Sequence, residues 1–524
     1  MPYNTINPVP SSDLRDFYDN SQTLDDVVNS GSNEVITRTG KKVKTLTGLQ
    51  EQVTQIGQSA SQSAQSAAGS AAAAAQSAAE AASSAAATGY VAPPFPDVWA
   101  PLSDSLQLLA GVAPADTITV GGTSFPLKTK SLSFSRASTA TYIDKSGVLQ
   151  TAAVNEPRFE KEGLLIEGQS TNGLIYSGDL TNPAWAAAQG TKTPQTAPDG
   201  SSGAVKFVPN ATASTHLISQ VFAATAGQTY TMSIFVKAAE STKCIVQIGN
   251  FASQTNPQAV RVDMVAKTAV GTVDQSRVSI TELADGWLRV SCTATVIAGA
   301  SNTNLIIGVL AADNSWSSTS SGDGASGFYV WGGQIENSTS ASSYIPTLSS
   351  AVTRAADDCS VQRSGNDNYF GPVTIAAEVH CNGQTATDGQ TASRRGILSA
   401  YPSAGEYFVM MVDASVQQTG KYAFAYGGSN FNYSADRIDD GQIHTVCSRS
   451  TTVMNQSSVD GNQLTNPTAV ARPTPGTVTA ANQTIVIGRG AGASALGQRM
   501  LNGHIRNLRI WHRELSDIQM KGIR

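Results

Sequence analysis

"TYTMSIFVKA", Thr229 to Ala238, places Tyr230, Met232, Ile234 and Val236 at alternate positions. Successive side chains of an extended chain point to opposite faces, so these four share one face of a strand. On a helix they would be scattered round the axis. The stretch reads as a strand with one side turned to a core.

The same period of two runs outward in both directions. "SLSFSRASTATYID" from Ser131, "GLLIEG" from Gly163, "KCIVQIG" from Lys243, "WLRVSCTATVIAG" from Trp287, "NLIIGVLA" from Asn304 and "GFYVWGGQIE" from Gly327 all read as strands. Turn residues separate them: Asp144-Lys145-Ser146-Gly147, Asp199-Gly200 and Asp285-Gly286. A second series begins near Pro372 with "VTIAAEVHC", "RRGILSAY", "EYFVMMVDA", "KYAFAYG", "QIHTVCSRSTT" and "QTIVIGRG". It closes on a strand from Gly503 to Trp511 and a short helix opened by Ser516 or Asp517. Many short strands without an intervening helical period predict a mainly β chain with two antiparallel β-sandwiches.

The N-terminal part is built differently. "SASQSAQSAAGSAAAAAQSAAEAASSAAA", Ser59 to Ala87, is almost wholly Ala and Ser. Leu46, Leu49, Val53 and Ile56 precede it at spacings of three and four, which sets a coiled-coil register. Small residues continue both seam positions through the tract. Thr47 and Gln50 look like a capping box at the helix start, and Gly89 with Pro93-Pro94 looks like its end. Ala and Ser bury too little area to hold one helix in place, so a slender multi-chain rod is expected, acting as a spacer between two ends with different tasks.

Of 524 residues 40% are hydrophobic but only 14% are charged, against about 25% in ordinary soluble domains. The surface must be supplied by Ser, Thr, Asn and Gln. A net charge of −5 without a basic run excludes phosphate-backbone binding as a design principle. No 18-residue apolar run marks a membrane span, and the first 20 residues lack the apolar core of a secretory signal. The five cysteines, Cys244, Cys292, Cys359, Cys381 and Cys447, form no metal-binding spacing and read as reduced, buried thiols.

Three stretches carry a family resemblance. "NPVPSSDLRDFYDNSQTLDDVVNSG" with "TRTGKKVKTLTG" resembles the virion-proximal leader of phage tail fibres and tailspikes, through Arg15-Asp16, Asp19-Asn20, Leu24-Asp25, Asn29, Arg38, Gly40-Lys41, Thr45 and Gly48. "SFSRASTATYIDKSGVLQTAAVNEPRFE", "GLLIEGQSTNGLIYSGDL" and "FYVWGGQIENSTSASSYIPTLSSAVTRAADD" resemble a carbohydrate-binding-module-like sandwich of phage tail proteins. The shared residues are Arg136-Ala137-Ser138, Asn155-Glu156-Pro157-Arg158-Phe159 and Thr353-Arg354-Ala355-Ala356-Asp357, with Gly173 inserted where the usual module reads Thr-Asn-Leu. "SVDGNQL" and "LNGHIRNLRIWHRELSD" resemble a laminin-G or concanavalin-like domain.

The resemblance implies a virion-anchor leader over 1–48, a coiled-coil rod over 49–89, a linker over 90–130, a jelly-roll, carbohydrate-binding-module-like sandwich over 131–360 and a concanavalin-like sandwich over 361–524. It further implies a homotrimeric virion component, assembled in the host cytoplasm, that attaches to the tail or an adaptor protein by its N-terminus. Its other partner is then a host surface polysaccharide or lipopolysaccharide.

No sequence motif supports catalysis, a cofactor or a metal site: HExxH, GxSxG and P-loop patterns are missing. His216, His380, His444, His504 and His512 read as structural or surface residues. Asp357-Asp358 and Asp439-Asp440 are paired carboxylates, but neighbours on a strand face opposite ways and do not converge on one glycosidic bond. A binding protein is expected rather than an enzyme. The alternatives are a polysaccharide depolymerase and a structural adaptor for another fibre. A structural Ca²⁺ in either sandwich is left open. Sugar rings stack on aromatic faces, and Trp316, Tyr401, Phe431 and Tyr433 lie in Gly/Ser/Asn-rich stretches suited to that use. Trp331 and Trp511 lie inside strand patterns and are expected in the core.

Overall fold

The computed structural model of the chain describes residues 12–87, 91–112, 117–120, 123–126, 130–249, 254–255, 259–271, 275, 278–297, 299–310, 320–363, 365–367, 371–381, 394–400, 408–413, 420–426, 430–470, 484–490 and 499–524. It divides into two compact units, Met1–Ala92 and Pro93–Arg524.

The first unit holds helix α1 (Leu14–Asn29), a hairpin of Glu34–Ile36 with Lys42–Lys44, and helix α2 (Leu46–Ala87). The leader has a polar framework of its own. Arg38 lies 3.6 Å from Asp16, with both side chains buried. Its Nε donates to Asn20 Oδ1 at 3.3 Å. Thr45, not Thr47, caps α2: its hydroxyl accepts from Gly48 N at 3.0 Å. Thr47 instead donates to the Ser30 carbonyl. A Cβ on Gly48 would lie 2.1 Å from Asn33 O, so the helix start is pressed against the preceding loop. Five of the residues that carry the leader's resemblance, Asp16, Asp19, Arg38, Thr45 and Gly48, are buried. Helix α2 has 42 residues and a length of about 63 Å.

The second unit contains the two sandwiches. In the first, a sheet in the order Gly190–Gln195, Ala204–Pro209, Phe328–Glu336, Thr229–Ala238, Leu288–Val296 faces one in the order Ala186–Ala188, Leu217–Ala223, Asn302–Val309, Lys243–Ile248, Ala259–Asp263, Thr268–Gly271. Every pairing is antiparallel. Tyr230, Met232, Ile234 and Val236 enter the core between the sheets, as their alternation predicts.

The other face of that strand is covered as well. Phe235 packs with Trp331 and Tyr344 in a second cluster. Thr229 and Thr231 hydrogen-bond across the sheet to Thr295 and Thr293 at 3.0 and 2.7 Å. A strand buried on both sides has its polar positions satisfied by cross-strand hydroxyl pairs.

In the second sandwich, Gly503–Trp511 is the hub. One flank pairs with Val373–His380. The other is shared: Gly163–Ile166 pairs with its start and Val98–Ala100 with its end. The opposing sheet runs Asn432–Arg437, Lys421–Tyr426, Phe408–Asp413, Arg394–Ala400, Thr484–Ile487, Asp358–Gln362, Ser133–Ser135. Sheet membership therefore departs from the expected boundaries. Residues 98–100 of the expected linker, and 133–135 and 158–166 of the expected first sandwich, are strands of the second. Trp99 Nε1 donates to Asn507 Oδ1 at 3.0 Å and Trp511 Nε1 to Pro94 O at 2.7 Å, which secures the former linker. The final helix α3 (Asp517–Gly522) is capped by Ser516, with a full capping box from Gln519. Trp331 and Trp511 are buried, and so are all five cysteines, whose thiols burial raises.

Candidate functional sites

The residues that signal the first sandwich in the sequence meet at the junction of the two. Asp357 lies 3.2 Å from Arg136 and 2.6 Å from Arg158. Arg158 also reaches Glu167 at 2.7 Å, and Glu167 lies 3.4 Å from Arg354. Three arginines and two carboxylates are buried together. Ser343 completes the cage by donating its N–H and hydroxyl to Glu167, both at 2.7 Å. Burial alone would raise the Glu167 carboxyl, but Arg354 and Arg158 hold it well below the usual carboxylate range. Asn172 clamps the adjoining segment by accepting from Leu174 N and Ile335 N and donating to Gly333 O and Ile345 O. Gly173 follows because a Cβ there would lie 2.0 Å from the Phe222 ring. This network is structural.

The paired carboxylates are drawn apart by it and by others. Asp358 faces Arg489 at 3.7 Å, away from the Asp357 cage. Asp439 is buried against Arg437 and Arg395, whereas Asp440 accepts from His444.

The described aromatic candidates sit on the outer face of the second sandwich. The strands Phe408–Asp413 and Lys421–Tyr426 send Met410, Val412, Tyr422 and Phe424 into the core. Their alternate residues, Val409, Met411, Ala423 and Ala425, form a second apolar layer, and Phe431 and Tyr433 pack on it. Tyr433 lies within the strand Asn432–Arg437, Phe431 stands just before it, and both rings are half-buried. The outer layer needs a cover, and the rings supply it.

The two ring centroids are 6.1 Å apart. The Arg394 guanidinium lies 4.9 Å over Phe431, within cation–π range. Tyr433 donates to Asp413 Oδ2 at 3.2 Å, and Arg394 Nε lies 3.7 Å from the same oxygen. Burial and the Asp413 charge raise the Tyr433 phenol. An exposed planar donor thus stands beside aromatic surface, fixed by a buried carboxylate. That arrangement suits a polyhydroxylated ligand with an apolar ring face. Trp316 and Tyr401 lie outside the described residues. Arg394 and Asp413 escape sequence reading because they meet the rings only through cross-strand register.

A polar cleft of about 450 Å³ lies where the sandwiches meet, lined among others by Glu160, Glu162, Arg289, Tyr344, His380 and His504. His380 and His504 face each other across paired strands, 3.1 Å apart between their Nδ1 atoms. His504 Nε2 lies 2.8 Å from Glu160 Oε2. A sequence separation of 344 residues hid that contact.

No protein-family model matches the chain, and no curated protein matches it in sequence. Among solved structures, a putative carbohydrate binding protein from Bacteroides ovatus is 12% identical, with 59% of this chain and 79% of that one covered and a TM-score of 0.24. Domains LG4-5 of the mouse laminin α1 chain are 13% identical over 67% of this chain and 93% of that one, with a TM-score of 0.20. A SAP-like pentraxin from Limulus polyphemus is 15% identical over 29% and 69%, with a TM-score of 0.22. Likeness at this level assigns neither a ligand nor an activity to this chain.

Proposed function

We propose that this chain is the subunit of a phage tail fibre or spike that forms a homotrimer through its rod and binds a glycan of the host surface. The observation that carries this reading is the inverted first unit. Among its described residues the buried ones are Asp16, Asp19, Arg38, Thr45 and Gly48. Leu14, Phe17, Leu24, Leu46, Leu49, Val53 and Ile56 are exposed, the last two by 69% and 60%. A lone helix with such a surface has little to hold it. Burying each large side chain stabilises by about 1.5–3 kcal/mol, so identical chains joined along this seam would supply what one lacks.

The seam residues lead into Ala and Ser, which let helix backbones approach closely. The leader then serves the particle end, and the sandwiches serve the cell end. The ligand class rests on the patch of Phe431, Tyr433 and Arg394. No described helix is long and apolar enough to cross a membrane.

Light scattering on the full chain should give the mass of three subunits. Adsorption to host cells should fall after periodate oxidation of surface glycans. A stable monomer at micromolar concentration overturns the fibre reading, and oxidation-insensitive adsorption overturns the glycan. Release of reducing ends from host polysaccharide would turn the reading to a depolymerase.

A further inference from the structure

Glu160, Glu162 and His504 bring their ligand atoms within 4.8 Å of one another. Glu160 ends the strand Arg158–Glu160 and Glu162 stands in the turn that follows. His504 lies on the hub strand, opposite Leu165. The turn is pressed onto that strand: Gly163 has φ +125°, and a Cβ there would lie 2.7 Å from Ile505 O. The two carboxylates are therefore held at the imidazole by backbone geometry.

A chain of polar contacts runs through His504. His380 Nε2 lies 3.1 Å from the Gly441 carbonyl, which only accepts. His380 Nδ1 faces His504 Nδ1, and His504 Nε2 faces the Glu160 carboxylate. The chain from Gly441 O to Glu160 thus has three links and an acceptor at each end. Glu160 cannot turn away freely, because its other oxygen accepts from Ile143 N at 2.7 Å. Glu162 has no hydrogen-bond or ion-pair partner among the described residues.

We propose that Glu160, Glu162 and His504 form a binding site for one divalent first-row transition cation of the zinc class, seated between the imidazole and the two carboxylates. One imidazole nitrogen with two carboxylate oxygens suits zinc, with water completing a tetrahedron. An imidazole in the set disfavours Mg²⁺ and Ca²⁺, which take oxygen. Bonds of ~2.1 Å put ligand atoms roughly 3.4 Å apart, so on binding Glu160 Oε2 moves out from its 2.8 Å contact with His504 Nε2 and Glu162 draws in. His380 then acts in the outer shell: with its Nε2–H given to Gly441, its Nδ1 accepts the His504 Nδ1–H and aims Nε2 at the metal.

The ion would fasten the turn at residue 162 to the hub strand. Through Glu160 and Ile143 it would also steady the hairpin Ala140–Ile143 with Leu149–Ala152. That hairpin packs Ile143 and Leu149 against the cluster containing Phe235, Trp287 and Trp331 of the first sandwich. Metal occupancy would therefore stiffen the junction of the sandwiches.

The test is calorimetric titration of the full chain with ZnCl2, and with CaCl2 beside it, together with the melting temperature with and without metal. One zinc per chain should bind, calcium should not compete at equal concentration, and the melting temperature should rise with zinc. Glu162→Gln, which removes no internal contact, should melt like the metal-free wild type and weaken zinc by about tenfold or more. His504→Gln is the second variant and should abolish binding. Absence of zinc binding by the wild type overturns the site. So does equal binding by both variants, which would move the metal elsewhere, as to the group of Asp440, His444 and Asp460.

Discussion

Asp357 Oδ2 lies 2.6 Å from Arg158 Nη2 with both side chains fully buried. Their separation in sequence is 199 residues, and the contact ties the end of the first sandwich to strands that belong to the second. Asp357 also carries Arg136, and its other neighbour is the backbone N–H of Glu167 at 2.8 Å. Asp357→Asn keeps the shape and removes the charge shared by two buried guanidinium groups. Breaking a buried pair in this way costs about 3–5 kcal/mol. Chemical unfolding of the variant should show a loss of that order. A loss under 1 kcal/mol would mean that water reaches the cage.

Glu167 makes the same network sensitive to acid. Its folded carboxyl is held well below the ordinary value, with Arg354 and Arg158 outweighing burial. A depressed carboxylate contributes stability that is fully present above the unfolded pKa and is lost as pH falls below it. Unfolding free energy should therefore be level, as far as this group decides it, down to about pH 5 and should drop below about pH 4. Glu167→Gln should lower stability at pH 7 and flatten the acid limb. An acid limb of unchanged slope in the variant would assign the loss to other carboxylates.

His444 acts in the opposite sense. Burial lowers its pKa, but hydrogen bonds from its two nitrogens to Asp460 and Asp440, at 2.6 and 2.9 Å, raise it overall. A raised imidazole contributes stability that is fully present below its unfolded pKa, about 6.5, and fades as pH rises through the folded value. Melting temperatures from pH 6 to 9 should show this decline, and His444→Gln should remove it. Identical pH profiles for the two proteins would count against the pairing.

The strand alternation of Tyr230, Met232, Ile234 and Val236 was legible because a core face imposes period two. The helix of Leu46–Ala87 was legible because Ala favours no competing structure. What sequence could not reveal was which sheet a strand joins. Val98–Ala100 is short and lies among prolines, and only the free flank of Leu508–Ile510 recruits it. Phe431 and Tyr433 were legible as aromatics in a polar stretch. Their half-burial was not, because it depends on Val409 and Ala423 from other strands facing away from the core. Glu160 and His504 meet through a sheet register fixed far from either residue.

The rod offers a direct test of assembly. Val53 and Ile56 are exposed seam residues that touch nothing in their own chain large enough to hide them. In a single chain, changing both to Asp would alter little beyond local helix propensity. In a bundle it would set several carboxylates against one another in an apolar seam. The double variant should lose helical circular dichroism at 222 nm and shed mass in light scattering, with the sandwiches still melting cooperatively. Unchanged mass and helicity would show that α2 takes no part in association.

The ligand patch is tested most sharply through Arg394. Its guanidinium stacks over Phe431 while its side chain remains 41% exposed, so it can be removed without opening the core. Phe431→Ala deletes the stacking surface, and Tyr433→Phe deletes only the hydroxyl that Asp413 already occupies. If a sugar ring lies against Phe431 and takes hydrogen bonds from Arg394, each of the first two changes should cost about 1–2 kcal/mol per site, or roughly tenfold in affinity. Tyr433→Phe should cost much less. In the proposed trimer three sites would multiply the loss, because bound chains would hold their neighbours near the surface. The measurement is adsorption of the full chain to host cells, beside near-ultraviolet circular dichroism to check the fold. The expected order of loss is Phe431→Ala and Arg394→Ala well ahead of Tyr433→Phe. Wild-type adsorption by both larger changes, with sensitivity to periodate retained, would place the glycan on a different surface of the chain.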